Sequence, residues 1–248
     1  RTSRRQRQMC IRDSHGNEPS GSEAALLTAY TLIASKNKKI NRLTTNSVVF
    51  IDPTLNPDGR DRHSQWANQY KSINLVADSN DAEHNESWPR GRTNHYWFDL
   101  NRDWLLAIHP ESRGKLNWLH EWYPNVVLDV HEMGTNSNYF FDPMKASASV
   151  KPLIPQENVD LYPIFAKYYV KYMDSIGSFY YTKESFDETY PGYGSTYSDL
   201  QGGLALLFEQ ASSRGHVQET NYGEMTFGFT IRNQFLNLSL IHISEPTR

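Results

Sequence analysis

Two short apolar runs constrain the fold of this 248-residue chain more than any other feature. They are NVVLDV at 125–130 and LALLFE at 204–209, and neither alternates regularly between apolar and polar residues. Such runs are typical of strands that are covered on both faces, as in parallel sheets, whereas a strand with one wet face alternates. The sequence therefore predicts a central sheet that is mostly parallel and buried.

Helical patterns alternate with these strands, which favours an α/β fold with a mixed, mostly parallel sheet and helices on both faces. Ser20 and Glu23 have the spacing of a capping box and predict the start of the first helix. The stretch 54–103 is rich in Asn, Asp, Gly and Pro and predicts a long loop region. Further predicted elements are a strand at 48–53 and helices at 20–36, 110–122, 158–177 and 219–238.

Composition excludes several classes of protein. No apolar run approaches the roughly 20 residues that span a bilayer, so we expect no membrane span in this segment. The net charge of −3 argues against a general nucleic-acid binder. The single cysteine excludes a disulfide framework and a cysteine-rich zinc module.

The two ends differ from the middle of the chain. Residues 1–14 contain five arginines against one acid, which could indicate a basic arm for nucleic acid or anionic lipid, or a disordered terminus. However, MCIRDS at 9–14 and SLIHISEPTR at 239–248 resemble translated sequencing-adapter sequence. We therefore interpret 1–14 and 239–248 as non-native tails around one domain at 15–238, which then lacks cysteine. On this interpretation the native start is missing, so a signal peptide cannot be sought.

Three residues are candidate metal ligands. His15 and Glu18 lie three apart in the turn HGNE before the first helix, and His131 directly follows the strand NVVLDV. Two imidazoles and one carboxylate suit zinc, and three protein ligands leave a fourth position open for water. Taken alone, His-x-x-Glu is a weak signal, and a surface histidine in a turn or a histidine satisfied at a strand end would explain the same residues.

Other motifs strengthen this interpretation. NPDGR at 56–60 follows a strand, LNR occurs within FDLNRDW at 98–104, and Glu209 ends a buried strand. In the order HGNE, NPDG, LNR, strand-His and strand-Glu, the chain resembles the zinc metallocarboxypeptidase family across 15–238. WPRGRTNHYWFDLNRDW and DVHEMGTNSNYFFDP look most like a bacterial-type branch of that family. Strands normally precede the His-x-x-Glu turn in this family, so we expect them to be truncated here, and absent or replaced before His15.

The resemblance implies a metal centre and a general base. His15, Glu18 and His131 would bind one zinc ion per chain. Glu209 would take a proton from the metal-bound water and pass it to the leaving amine. The residues themselves agree, because an unpaired carboxylate at the end of an apolar strand is costly to bury unless a metal or an arginine lies nearby. The alternative for Glu209 is a structural ion pair with Arg214.

The resemblance also implies substrate-binding residues. Arg92 would polarise the scissile carbonyl, with Arg90 as the alternative. Asn101 and Arg102 would hold the terminal carboxylate of the peptide, which an arginine can bind in a bidentate way. Taken alone, Arg102 would more simply form a surface ion pair with Asp99 or Asp103.

A tyrosine that covers the substrate should lie upstream of the catalytic glutamate. Tyr190, Tyr193 and Tyr197 all qualify, and spacing does not decide among them. We take Tyr193 as the candidate.

The function implied is zinc-dependent removal of residues from the C-termini of peptides or proteins. We expect a monomer that is secreted or periplasmic, does not bind nucleic acid and has no membrane span. One alternative is an N-acyl amino acid deacylase of the aspartoacylase type, which shares His-x-x-Glu, an Asn-Arg pair and a distant histidine. The NPDG motif and the long separation of Glu18 from Asn101 argue against it. Another alternative is a non-catalytic peptide- or glycan-binding module of the same fold, against which the presence of Glu209 argues.

Overall fold

The structure is a computed structural model that describes residues 7–12, 14–145 and 154–241, and side chains within 14–145 and 154–239. A six-stranded sheet forms the centre, in the spatial order β2-β1-β3-β6-β4-β5. The strands are β1 Arg7–Arg12, β2 Ser47–Asp52, β3 Val126–Met133, β4 Tyr139–Phe141, β5 Tyr180–Tyr181 and β6 Leu204–Ala211. Strands β7 Val217–Thr220 and β8 Gly223–Thr226 form a separate antiparallel hairpin.

The sheet is mixed and mostly parallel, as predicted. β1 pairs in parallel with β2 and β3, and β3 pairs in parallel with β6. Only β4 runs antiparallel to its neighbour β6, while β5 is parallel to β4. The strand that supports the His-x-x-Glu turn is therefore present, and residues of the N-terminal segment form it. The origin of that segment stays a prediction, and residues 1–6, 13 and 242–248 of the two tails lie outside the described part.

Seven helices surround the sheet in the described part of the chain. They are α1 Ser20–Ala34, α2 Lys38–Asn46, α3 Pro57–Tyr70, α4 Pro110–Trp122, α5 Gln156–Ile176, α6 Gly194–Leu200 and α7 Phe227–Ile241. None of the described helices is long and apolar enough to cross a membrane.

Side chains alternate between the two faces of β3 and β6, and this alternation separates the core from the polar site. Leu128 and Val130 on β3, with Leu206 and Phe208 on β6, pack against α1, α5 and α7. Each such side chain, once fully buried, contributes roughly 1.5–3 kcal/mol. The alternate residues of both strands, including His131 and Glu209, face the other side of the sheet.

The second face is covered by a smaller cluster. Trp104 and Tyr197 pack there against Leu116 and Leu119 of α4. α6, which contains Tyr197, also contacts β3 and β6. Helices therefore cover both faces of the sheet, as predicted.

Several local predictions were wrong, and at the start of α1 distant contacts replace the predicted capping box. α1 has Pro19 as its N-cap without a side-chain cap bond, and Glu23 pairs with Arg60 at 2.6 Å instead of completing a capping box. The carboxylate of Glu132 accepts a hydrogen bond from the Ser20 N–H at 2.7 Å. The predicted loop 54–103 contains α3, and the first residues of the predicted helix 219–238 form the β7–β8 hairpin.

Candidate metal centre and active site

The HGNE turn is held in place by the NPDG motif. Gly16 approaches the start of α3 so closely that an added Cβ would lie 2.1 Å from the Arg60 backbone nitrogen. Asn56 caps α3 by accepting a hydrogen bond from the Gly59 N–H at 3.0 Å, and its amide donates to the Arg92 carbonyl at 3.0 Å. NPDG therefore acts structurally here, since it brings the turn and the Arg92 segment together.

The three predicted ligands converge on one point. His15 Nδ1 lies 3.0 Å from Glu18 Oε1, and His131 Nδ1 lies 2.8 Å from Glu18 Oε2. The two Nδ1 atoms are 3.0 Å apart. All three residues are buried, and they form the one His, Cys, Asp and Glu cluster with metal-binding geometry among the described residues.

The chemistry of this cluster fits zinc. A tetrahedral zinc at about 2.0–2.1 Å from its ligands would hold neighbouring ligand atoms about 3.3 Å apart, close to the spacing seen here. The outer nitrogen of each imidazole meets a carboxylate, since His15 Nε2 lies 2.9 Å from Asp99 Oδ1 and His131 Nε2 lies 3.1 Å from Asp129 Oδ1. Such carboxylate partners keep the proton on the outer nitrogen and aim the other one at the metal.

The charges of the cluster stabilise one another. Burial acts to lower the pKa of His15, but the charges of Glu18 and Asp99 outweigh it and raise that pKa. The pKa of His131 is raised well above its usual value, by Asp129 and Glu18 against burial. Burial acts to raise the pKa of Glu18, yet the two imidazoles hold it well below its usual range. Glu18 is therefore an ionised carboxylate inside the protein, as a metal ligand must be.

Glu209 lies beside this cluster through the register of the sheet. It is the direct partner of His131 in the parallel ladder between β6 and β3, so both side chains point to the same face. Burial raises the pKa of Glu209 to about 8, with Glu18 adding to the rise and His131 opposing it. Glu209 therefore lies beside the predicted ligands, and its role in proton transfer stays a prediction.

Arg92 reaches the centre and Arg90 does not. The Arg92 guanidinium contacts Glu18 Oε1 at 3.3 Å and Asp99 Oδ2 at 2.9 Å. Arg90 is exposed, and its carbonyl accepts a hydrogen bond from Arg62 Nε at 2.9 Å. Of the two arginines that the sequence left open, Arg92 is therefore the one that lies at the candidate metal centre.

Asn101 and Arg102 lie at the same centre but differ in their surroundings. Asn101 is buried, with its Nδ2 2.9 Å from His131 Nε2 and its Oδ1 accepting from the Gly194 N–H at 2.8 Å. Arg102 is exposed, and its guanidinium lies 4.5 Å from the centre of the Tyr193 ring. Arg102 is also 3.9 Å from Asp99, so the simple ion pair is present as a loose contact.

The structure separates the three tyrosine candidates. Tyr197 is buried, and its hydroxyl hydrogen-bonds His120 Nε2 at 2.9 Å, away from the ligands. Tyr190 donates its hydroxyl to the Arg102 carbonyl at 3.1 Å, and Tyr193 stacks on the Arg102 guanidinium. Tyr193 and Tyr190 thus remain next to the candidate substrate-binding arginine.

Two carboxylates that contact the candidate ligands were not predicted. Asp99 was considered only as a surface partner of Arg102, yet it joins His15, Arg92 and the Asn101 N–H. Asp129 had a usable signal, because it lies two residues before His131 on a strand and so shares its face. No such periodicity could have identified Asp99, which reaches His15 across 84 residues of sequence.

Comparisons with known proteins point to one family and one fold. A family model described as zinc carboxypeptidase matches residues 5–234. The catalytic chain of carboxypeptidase N from Homo sapiens is 24% identical over 147 residues, covering 53% of this chain and 32% of that one, and the Mus musculus protein matches equally.

Solved structures share the fold. A metallo-carboxypeptidase from Burkholderia cenocepacia is 15% identical with a TM-score of 0.67, covering 98% of this chain and 57% of that one. A metallo-carboxypeptidase from Pseudomonas aeruginosa, solved with (2-guanidinoethylmercapto)succinic acid, is 14% identical with a TM-score of 0.61, covering 97% and 57%. The chain thus spans about a third of its curated relatives and little more than half of these structural neighbours.

Proposed function

The chain belongs to the zinc carboxypeptidase family, and on this premise we propose that it is a zinc-dependent metallocarboxypeptidase that removes residues from peptide C-termini. One observation supports the proposal above all others. His15, Glu18 and His131 converge on one point, and the register of the sheet sets Glu209 beside them. This arrangement contains both a metal-binding set and a separate carboxylate for proton transfer.

His15, Glu18 and His131 would hold one zinc ion through two Nδ1 atoms and the Glu18 carboxylate. Bound there, zinc would polarise a carbonyl and make water more acidic. Asp99 and Asp129 would hold the imidazoles in orientation by accepting their outer protons, at the distances given above.

Glu209 would act as the general base and then as the general acid. Its carboxylate would take a proton from the attacking water and deliver it to the leaving amine. A pKa near neutrality suits both halves of this task, because the group must release the proton that it has accepted. Burial, which raises the pKa of Glu209 to about 8, is in the right direction for this role.

The basic residues would bind and orient the peptide. Arg102 is exposed and offers a planar guanidinium that can bind the terminal carboxylate in a bidentate way, with Asn101 beside it. Tyr193 would cover the bound residue, since it already contacts Arg102. Arg92, next to Glu18, would stabilise the charge that develops on the carbonyl oxygen.

The cellular setting is also part of the proposal. We propose that the enzyme acts as a monomer in a secreted or periplasmic location, on the strength of the family resemblance. The stretch 15–238 has no cysteine, so its folding there would need no disulfide.

Metal analysis combined with C-terminal hydrolysis tests the proposal. We expect the zinc-loaded chain to release C-terminal residues from peptides, and Glu209→Gln to keep its zinc while losing about 10²–10⁴-fold in kcat/KM. Glu219→Gln is the matched control, because Glu219 is an exposed carboxylate on β7.

Three outcomes would contradict the proposal. If Glu209→Gln is as active as the wild type, Glu209 is not the general base. Activity on N-acetyl-aspartate but not on peptides would favour the deacylase. Zinc binding without any hydrolysis would favour a binding module.

A further inference from the structure

The segment 182–193 joins β5 to α6 without regular secondary structure and contains both Tyr190 and Tyr193. Most of its residues are exposed or half-buried. Glu188 is the exception among its charged residues, since only 1% of its surface is exposed. A carboxyl group buried in a polar surface segment calls for a physical explanation.

The end of this segment packs on the residues proposed to bind substrate. The Trp104 N–H donates to the Gly192 carbonyl at 3.3 Å, and the Tyr190 hydroxyl donates to the Arg102 carbonyl at 3.1 Å. An added Cβ on Gly192 would lie 2.7 Å from the same Arg102 carbonyl oxygen, so the two backbones touch. The position of the segment therefore decides where Tyr193 and Arg102 lie relative to each other.

Glu188 fixes the other side of the segment to the protein body. The Tyr162 hydroxyl of α5 donates to Asp199 Oδ2 at 2.6 Å and lies 3.1 Å from Glu188 Oε2. The Tyr162 hydroxyl therefore lies between the carboxyl groups of Glu188 and Asp199. Two buried carboxyl groups this close repel each other when both are ionised, which favours a proton on one of them.

The groups around this pair are neutral or acidic. Asn158 of α5 donates to Asp199 Oδ1 at 2.6 Å, as does the Ala205 N–H at 2.9 Å. Asp142, after β4, is fully buried and acts on the pair by charge repulsion. Burial and these neighbouring acids raise the pKa of Glu188 well above its usual range, and burial raises that of Asp199 to about 7.

We propose that Glu188, in its protonated form, is a positioning residue that fastens the segment 182–193 to α5 and α6 and so places Tyr193 and Arg102 for the peptide substrate. This inference rests on the proposed function. When the pair loses its proton, two adjoining carboxylates repel each other inside the protein, and the segment loosens. Substrate binding then weakens as the pH rises, whereas the candidate metal ligands and Glu209 keep their positions.

The test compares KM and kcat between pH 6 and pH 9 for the zinc-loaded wild type, Glu188→Gln and Glu188→Ala. The glutamine amide can donate to Asp199 or to the Tyr162 oxygen at every pH, so it replaces the protonated carboxyl. We expect the wild-type KM to rise about tenfold across this range, as suits the loss of one or two buried hydrogen bonds. Glu188→Gln should hold a low KM throughout, and Glu188→Ala should have a high KM at every pH, with smaller changes in kcat.

Glu184→Gln is the control, because Glu184 is an exposed carboxylate of the same segment. It should follow the wild-type pH profile. If the KM of Glu188→Gln rises with pH as the wild-type KM does, the inference is wrong even though the enzyme is active. Hydrolysis by none of the variants would instead refute the proposed function.

Hydrogen–deuterium exchange decides the inference without any activity measurement. After correction for the intrinsic rate, amides of 186–193 in the wild type should exchange faster above neutral pH than at pH 6. Glu188→Gln should abolish that difference, and an unchanged difference would overturn the inference. This comparison uses only the wild type and Glu188→Gln, so it does not depend on whether Glu188→Ala folds.

Discussion

The metal centre and the Glu188 region both bury carboxylates, but they treat them in opposite ways. Glu18 is 5% exposed and Glu188 is 1% exposed, so burial alone acts on both in the same direction. Glu18 lies between two imidazoles and Arg92, and its pKa is held well below its usual range. Glu188 faces a phenol and two further acids, and burial with those acids raises its pKa well above that range.

The difference shows that the partners of a buried acid, and not its depth, decide whether it binds a cation or a proton. The metal centre presents an ionised oxygen and two imidazoles, whose Nδ1 atoms can bind a metal once they are unprotonated. The second region presents acids to one another with neutral donors between them, which suits a shared proton. α6 links the two, since Gly194 at its start contacts Asn101 and Asp199 near its end contacts Tyr162.

The largest expected effect separates the two regions by metal content. His131→Ala removes one of three ligands, so we expect zinc to be lost on dialysis and kcat/KM to fall by at least about 100-fold, the upper limit for changes outside the ligand set. Asp142→Asn, in the acidic region, should keep one zinc per chain by metal analysis. If His131→Ala still binds one zinc per chain, the contrast between the metal centre and the acidic region is wrong.

A smaller effect is expected from the carboxylate behind a ligand. Asp129→Asn weakens the hold on the His131 ring, so zinc should bind about 10–100-fold more weakly in competition with a chelator. Asp199→Asn replaces an equally buried aspartate in the other region and should leave zinc affinity unchanged. Equal losses in both variants would mean that general stability, and not the orientation of His131, sets the affinity.

The pH dependence of stability should sharpen the comparison further. The unfolded chain loses the Asp199 proton near pH 4, whereas burial raises the folded pKa to about 7. The free energy of unfolding should therefore fall as the pH rises from about 4 to 7. Asp199→Asn should remove this decrease when urea unfolding is compared at both ends of the range, while Asp58→Asn, an exposed control, should retain it.

The smallest effect concerns the two tyrosines at the start and middle of α6. Tyr197→Phe loses the hydrogen bond to His120 and should cost about 1 kcal/mol in unfolding free energy with no change in KM. Tyr193→Ala, which removes the ring that stacks on Arg102, should raise KM and change stability less. The reverse pattern would move the substrate-covering role from Tyr193 to Tyr197.

Periodicity predicted the parts of the fold that depend on local chemistry. The runs at 125–130 and 204–209 became β3 and β6, and parallel pairing of their ends placed Glu209 beside His131. The capping-box prediction was wrong because the Ser20 N–H at the start of α1 donates to the carboxylate of Glu132, which is distant in sequence.

The remainder of the site depends on contacts that no local pattern contains. Asp99 reaches His15 in a region where Gly16 packs closely on α3 and Gly59 packs closely on Gly91. Glu188, in a polar tyrosine-rich stretch, has the local pattern of a solvent-facing acid, and only the packing of α5 and α6 buries it.

The position of β1 has a consequence for synthesis of the chain. β1 lies between β2 and β3, with Met9 opposite Val126. At the usual speed of translation, the ribosome needs roughly 6–24 s to travel from one to the other. During that time the first strand can pair only with β2, and its other edge is open. A nascent chain with this strand order therefore exposes an unpaired edge of β1 until β3 is made. A chaperone or a neighbouring chain could pair with that edge in the meantime.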